Sequence, residues 1–197
     1  MGPGAEGSTL PPDVELWLVR HGETGWSRDG KHTSTTDVPL TARGEAQARA
    51  VAEQLRGVGF DLVLTSPLGR ARRTAGLAGF PDAVPDEDLV EWRYGDYEGV
   101  TTAQIRERVP GWTVWTHPCP NGEAPDAVAR RLDRVVDRVR EQHGRVLVFG
   151  HGHASRALAA RWVDLPVRDG RIFVLGTATV SALGSEHGAP AVLRWNA

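Results

Sequence analysis

The stretch ELWLVRHGET, residues 15–24, decides the fold, because its apolar run stops abruptly at Arg20 and His21. The run is as long as an average β-strand and too short for a helix. The glycine that follows the histidine allows a tight turn. These residues therefore predict a buried strand whose carboxyl end carries two basic side chains.

Two later apolar runs also end in polar residues. FDLVLT, residues 60–65, is followed by Ser66, and RVLVF, residues 145–149, is followed by Gly150 and His151. In an open α/β sheet, ligands bind beyond the carboxyl ends of the strands. If the three predicted strands are neighbours, the side chains that follow them meet in one site.

Helical patterns separate the predicted strands. Thr41 is placed to cap a helix that runs to about Leu55, and Ser66 with Pro67 is placed to begin a second one. The apolar spacing over 126–142 predicts an amphipathic helix, and a further helix is expected over 155–163. Strands that alternate with helices predict a three-layer α/β/α sandwich around a mainly parallel sheet.

The rest of the chain is less regular. The other predicted elements are a strand over 88–91, a short helix and irregular chain over 101–124, and two or three strands over 171–195. Residues 1–13 are rich in Gly and Pro, and we expect them to form a flexible tail before a single domain over 14–197. Within that domain, we expect residues 92–125 to cover the ligand pocket.

Composition and charge argue against several classes of protein. Hydrophobic residues make up 40% of the chain and charged residues 24%, with a net charge of −2. No basic excess indicates a nucleic-acid partner, and no apolar run has the length of a membrane span. The first residues lack the pattern of a secretory signal, so we expect a cytoplasmic protein. With Cys119 alone, an internal disulfide and a cysteine-rich zinc site are both excluded.

Two arginines and two histidines carry the predicted chemistry. The guanidiniums of Arg20 and Arg70 can each donate paired hydrogen bonds to phosphate oxygens. A neutral imidazole such as His21 is a competent nucleophile toward phosphorus, and His151 can stabilise the charge that develops on the phosphoryl oxygens. The leaving group then needs a proton, and we assign that role to Glu91, which lies in LVEWRYGDYEG.

Five segments, in this order, resemble those of the histidine phosphatase superfamily, also called the phosphoglycerate mutase-like proteins. They are RHGET (20–24), DVPLT (37–41), TSPLGRARRTA (65–75), EWRYGDYEG (91–99) and GHG (150–152). The resemblance covers about residues 15–185 and is strongest to the branch of small bacterial acid phosphatases and sugar-bisphosphate phosphatases. It implies that His21 is the phosphorylated nucleophile, that Arg20, Arg70 and His151 complete the phosphate pocket, and that Glu91 is the proton donor and then the base.

Two positions near the predicted pocket depart from the family pattern. Ser27 stands where asparagine is common, and Thr33 stands where glutamine is common, although the Ser27 hydroxyl can still donate one hydrogen bond to a phosphate oxygen. Further candidates for contact with the substrate are His32, Ser66, Tyr94, Gly152, Arg156 and His187. His151 and His153 could instead be metal ligands, but no third and fourth ligands are spaced nearby, so we predict no metal and no cofactor.

The sequence thus predicts a metal-independent phosphomonoesterase that forms a phosphohistidine on His21. Its expected substrate is a small phosphorylated metabolite, with a sugar phosphate or bisphosphate as one option, and neither a membrane nor a nucleic acid is an expected partner. A homodimer is left open. Two alternatives also stay open: a phosphoglycerate-type mutase, although the chain has no obvious long insertion over the pocket, and a non-catalytic phosphate-binding module.

Overall fold

A six-stranded sheet organises the protein, and the computed structural model describes residues 10–197. Its strands are β1 (Glu15–Arg20), β2 (Leu62–Thr65), β3 (Val84–Pro85), β4 (Arg145–Gly150), β5 (Val180–Glu186) and β6 (Ala189–Arg194). They lie in the order β3-β2-β4-β1-β5-β6. Strands β1, β2, β3 and β4 are parallel, whereas β5 is antiparallel to both β1 and β6. The predicted mainly parallel sheet is confirmed, and the carboxyl ends of β1, β4 and β2 are adjacent.

Helices cover both faces of this sheet. They are α1 (Gly25–Arg28), α2 (Ala42–Leu55), α3 (Gly69–Leu77), α4 (Thr102–Arg108), α5 (Pro125–Gln142) and α6 (Gly152–Trp162), with 3₁₀ turns at Glu87–Leu89, Gly95–Tyr97 and Val167–Ile172. Side chains of α2 and α3 pack against one face of the sheet, and those of α5 and α6 pack against the other. The predicted three-layer sandwich is therefore confirmed. Among the described residues, no helix combines the length and apolar character needed to cross a membrane.

The predicted starts of α2 and α3 have different outcomes. The Thr41 side chain accepts a hydrogen bond from the Gly44 N–H, so it caps α2 as expected. The predicted Ser66 cap of α3 is wrong, because α3 begins at Gly69 and its first N–H groups point to Asp37 instead. A carboxylate from another loop thus replaces the local cap, and the Ser66 hydroxyl is left for a different partner.

Other boundaries also differ from the predictions. The strand expected over 88–91 is absent: Asp86 caps a 3₁₀ turn there, and the neighbouring strand is Val84–Pro85. Helix α6 begins at Gly152, three residues earlier than expected, and two strands occupy the region over 171–195.

The expected tail over 1–13 is only partly described. Residues 1–9 lie outside the described residues. Leu10 is buried in the core, and its N–H donates to the Gly188 carbonyl at 3.0 Å. The folded domain therefore includes at least four residues that we expected to belong to the tail, because Leu10 supplies apolar surface that the core buries.

Candidate active site

The strand ends bring the predicted side chains together. Arg20 is level with Gly150 where β1 pairs with β4, and Thr65 is level with Phe149 where β2 pairs with β4. The residues that follow these strands therefore share one edge of the sheet. The rings of His21 and His151 lie 5.3 Å apart between centroids, inclined by 64°.

His21 is held as a neutral ring with one free nitrogen. Its Nδ1 lies 2.8 Å from the carbonyl oxygen of Gly22, and since a carbonyl only accepts, Nδ1 carries the hydrogen. The lone pair is then on Nε2. Burial, and after it the charges of Arg20 and Arg70, hold the pKa of His21 well below its usual value. The imidazole is therefore neutral at neutral pH, with Nε2 unprotonated.

The two predicted arginines are anchored by backbone carbonyls. Arg20 donates from Nη1 to the Leu175 carbonyl at 2.6 Å. Arg70 is buried, and it donates from Nη1 to Thr36 at 3.0 Å and from Nη2 to Ser34 at 3.0 Å. These contacts fix both guanidinium planes, and the Nε–H of each arginine has no partner.

His151 completes the basic cluster from the start of α6. Its Nε2 lies 2.7 Å from the Ser66 hydroxyl, and its Nδ1 is buried without a partner. Of four such orphaned nitrogens among the described side chains, three belong to Arg20, Arg70 and His151. Buried polar atoms without partners are rare in folded proteins. Their grouping beside His21 fits an anion that has several acceptor oxygens.

Glu91 lies against the N-terminus of α6. Its Oε1 accepts from the N–H groups of Trp92 at 2.9 Å and Ala154 at 2.7 Å, and its Oε2 accepts from His153 N–H at 3.0 Å. Backbone N–H groups at a helix start attract negative charge. The carboxyl group is thereby fixed at the wall of the pocket that also exposes His21.

A cavity of about 190 Å³ contains most of the predicted site residues. Those that line it are Arg20, His21, Ser27, His32, Thr33, Glu91, Tyr94, Gly152 and Arg156. Arg70 and His151 are buried beside it. From the segment that we expected to cover the pocket, Tyr94 and Thr102 line the cavity.

Two predicted substrate contacts need correction, and a third residue already has a partner for its hydroxyl. His187 is exposed in the turn between β5 and β6, and β5 runs antiparallel to β1, so this turn lies at the opposite end of the sheet. Ser66 is fully buried behind His151, which makes it a partner of that ring. Ser27 lines the cavity, but its hydroxyl donates to the Thr24 carbonyl at 3.1 Å in a capping box, so its only proton is engaged.

His153 is a pocket residue that the sequence pattern indicated only as a possible metal ligand. Its Nδ1 lies 2.6 Å from the Tyr94 hydroxyl, and its ring stacks on that of His32 at 6.0 Å. Burial lowers the pKa values of His32 and His153, so both rings are neutral. Placing the start of α6 at Gly152 would have located His153 in the first turn, facing the site. Among the described residues, no group of three metal-ligating side chains is present.

Comparisons with known proteins extend these observations. Residues 16–197 match the model of the histidine phosphatase superfamily, branch 1. An acid phosphatase of Mycobacterium tuberculosis is 45% identical over 177 residues, covering 88% of this chain and 87% of that protein. A sedoheptulose 1,7-bisphosphatase of Saccharomyces cerevisiae is 37% identical over 77% of this chain and 68% of that protein. The solved structure of an open reading frame product of M. tuberculosis has a TM-score of 0.90 at 42% identity, covering 93% of this chain and 97% of that chain.

A relative with another activity bears on one alternative. A 2,3-bisphosphoglycerate-dependent phosphoglycerate mutase of Methylobacterium is 37% identical over 92% of this chain and 91% of that protein. The similarity spans nearly the whole of both proteins. Chain length therefore does not separate a hydrolase from a mutase here, contrary to our expectation from the missing insertion.

Proposed function

The chain belongs to the histidine phosphatase superfamily and is a phosphoric monoester hydrolase, and from that premise we propose that it hydrolyses a small phosphorylated metabolite, without a metal ion, through a phosphohistidine on His21. One observation carries the proposal. The side chains of Arg20, Arg70 and His151 each have a buried nitrogen without a partner, and they lie near a neutral His21 whose Nε2 is free. Charged and polar N–H groups of this kind are matched by the oxygens of a phosphoryl group.

The first step is attack by Nε2 of His21 on phosphorus. An N–P bond forms while the ester P–O bond breaks, and the electron pair leaves with the alkoxide. Arg20, Arg70 and His151 hold the phosphoryl oxygens and stabilise the charge that spreads over them in the transition state. Because these donors are already fixed by the protein, little reorganisation is needed when the reaction occurs.

Glu91 is the group that we propose for proton transfer in both steps. In the first step it gives a proton to the leaving alkoxide, which departs as an alcohol. In the second step its carboxylate takes a proton from water, the water oxygen attacks phosphorus, and the N–P bond breaks. The electron pair returns to Nε2 of His21, and inorganic phosphate is released. The position of Glu91 in the same cavity wall supports both roles.

The proposed substrate class is a sugar phosphate, a sugar bisphosphate or a similar small metabolite. A cavity of about 190 Å³ suits such a molecule better than a segment of a phosphoprotein. The name of the sedoheptulose bisphosphatase relative supports the same class. A cytoplasmic location, the absence of membrane and nucleic-acid partners, and the choice between a monomer and a homodimer stay predictions.

A mutase activity is the second candidate, favoured by the mutase relative described above. A mutase would use the same phosphohistidine but would return the phosphoryl group to the bound molecule rather than to water. Incubation with a phosphoglycerate distinguishes the two activities, because a hydrolase releases inorganic phosphate, whereas a mutase interconverts the isomers. Isomerisation faster than phosphate release would reverse our assignment.

The decisive experiment measures hydrolysis of p-nitrophenyl phosphate in EDTA between pH 4 and pH 8. We expect the wild type to retain its activity in EDTA and the His21→Ala variant to lose at least about a thousandfold in kcat, because the imidazole that attacks phosphorus is removed. His187→Asn is the matched control, since it changes a histidine far from the cavity and asparagine tolerates the left-handed backbone there. Activity that requires an added metal, or a fully active His21→Ala variant, would contradict the proposal.

A further inference from the structure

Arg156 is a rigidly held cation in the outer part of the cavity. It lies in α6, one turn beyond the residues that hold Glu91, and its Nε and Nη2 donate to the carbonyls of Gly170 at 3.2 Å and Arg171 at 2.9 Å. Its guanidinium lies 4.8 Å from the centroid of the Trp115 ring. Gly170 has no room for a side chain, because an added Cβ would come within 2.7 Å of that ring. The guanidinium is thus positioned from two sides before any ligand binds.

Arg156 is partly buried and has no carboxylate partner among the described residues. Arg161, one turn further along α6, is a useful contrast, because its Nε lies 2.6 Å from Asp133. Burial lowers the pKa values of both Arg156 and Arg20, and neither makes an ion pair within 4 Å in the described chain. Removing a cation from water costs free energy unless an anion approaches it.

The other charged residues along the cavity wall also leave positive charge in excess of negative charge. Lys31 also lines the cavity, with Nζ 5.7 Å from the centroid of the Trp26 ring, and it has no carboxylate partner among the described residues. Glu91 is the single carboxylate in the lining, and its oxygens are engaged by backbone N–H groups. The phosphoryl group that we propose would be held by Arg20 and its neighbours, which leaves Arg156 and Lys31 without a counter-charge.

We propose that Arg156, together with Lys31, binds a second anionic group on the substrate, so that the enzyme selects phosphate esters whose leaving group carries a carboxylate or another phosphate. This inference rests on the proposed phosphatase function and names its substrate class. The guanidinium provides the fixed, directional donors of such a site, and the ammonium group adds charge on a flexible stem. A substrate with an uncharged leaving group leaves both cations unpaired.

Matched substrate pairs test the proposal. D-3-phosphoglycerate and sn-glycerol 1-phosphate share a three-carbon scaffold and the same configuration at the central carbon, and they differ by a carboxylate in place of a hydroxymethyl group. Fructose 1,6-bisphosphate and fructose 6-phosphate test a second phosphate in the same way. For at least one pair, we expect the wild-type kcat/KM to be about 10- to 100-fold higher for the member with the additional anion. The two pairs also show whether carboxylate or phosphate is preferred.

The variants assign the preference to Arg156. Arg156→Met should reduce the kcat/KM ratio within the preferred pair to near one, and Arg156→Lys should retain part of it. Arg168→Met is the control, because it removes the same charge from an exposed side chain in the neighbouring 3₁₀ turn and should keep the wild-type ratio. Competition against p-nitrophenyl phosphate by each member of a pair measures the same preference in the wild type, so the test does not depend on the folding of a variant.

Three outcomes are distinguishable. A wild type that hydrolyses p-nitrophenyl phosphate but shows equal kcat/KM and equal inhibition within both pairs overturns the second-anion site and leaves the proposed function intact. A preference that persists in Arg156→Met also overturns the assignment. A wild type that hydrolyses none of these esters contradicts the proposed function itself.

Discussion

Arg131 forms the buried ion pair whose loss should be most costly, and it supports the segment that carries Glu91. It bonds the Glu123 carboxylate at 2.8 and 3.0 Å, and its Nη1 donates to the carbonyls of Asp88 at 2.7 Å and Val90 at 2.8 Å. Arg131 is 6% exposed and Glu123 is 7% exposed. The pair therefore fixes the backbone immediately before Glu91.

The Arg131→Met variant keeps most of the side-chain volume and removes every one of these donors. An unpaired buried carboxylate costs about 3–5 kcal/mol. The two carbonyls left without a donor add about 1 kcal/mol each. We expect the free energy of unfolding to fall by about 5–7 kcal/mol, which is a large share of the roughly 5–15 kcal/mol typical of a domain. Because the backbone before Glu91 is released, kcat should fall as well.

Urea unfolding followed by circular dichroism measures this loss. Arg134→Met is the matched control, because Arg134 lies on the same helix and its side chain is 59% exposed where it pairs with Asp88, so the unfolding midpoint should barely move. The double variant Arg131→Met/Glu123→Gln leaves no buried charge and should recover much of the stability. A single variant within about 1 kcal/mol of the wild type, or a double variant no more stable than the single one, would refute the reasoning.

Three further predictions follow from buried groups. Because burial holds the pKa values of His21, His151 and His153 well below those of the unfolded chain, unfolding takes up protons below about pH 6.5. Urea titrations should show stability falling by up to about 1.4 kcal/mol per pH unit for each histidine as pH decreases; a flat profile would contradict neutral rings. Ser66→Ala removes the hydrogen-bond partner of His151 and should lower kcat about tenfold or more. An unchanged kcat would show that Ser66 does not position the His151 ring. Burial raises the pKa of the Cys119 thiol to about 11, so a thiol reagent at pH 8 should label it only after unfolding.

The core of the site was predictable because its residues follow the strands directly. A parallel sheet places the carboxyl ends of its strands along one edge, so His21 and His151 had to lie close together once β1 and β4 were neighbours. The helical pattern over 126–142 was equally clear, because Val128, Leu132 and Val139 recur on one buried face. In each case the information lies in residues that are near one another in sequence.

Other features needed the tertiary structure, because their partners are distant in sequence. Asp37, 32 residues before Gly69 in sequence, caps α3 in place of Ser66. The Ser66 hydroxyl is therefore available to His151. The reversed direction of β5 removed His187 from the site although its residue type suited a substrate contact.

The sequence by itself determined the fold class, the family and the basic residues around the proposed phosphoryl group. Only the tertiary structure decided which of their nitrogens stay unpaired, where His153 lies, and that Arg156 faces the cavity without a carboxylate. The physical reason is that strand and helix patterns depend on local spacing and hydrophobic burial, which adjacent residues encode. Hydrogen-bond satisfaction and charge balance depend instead on groups that come together only when the chain is folded.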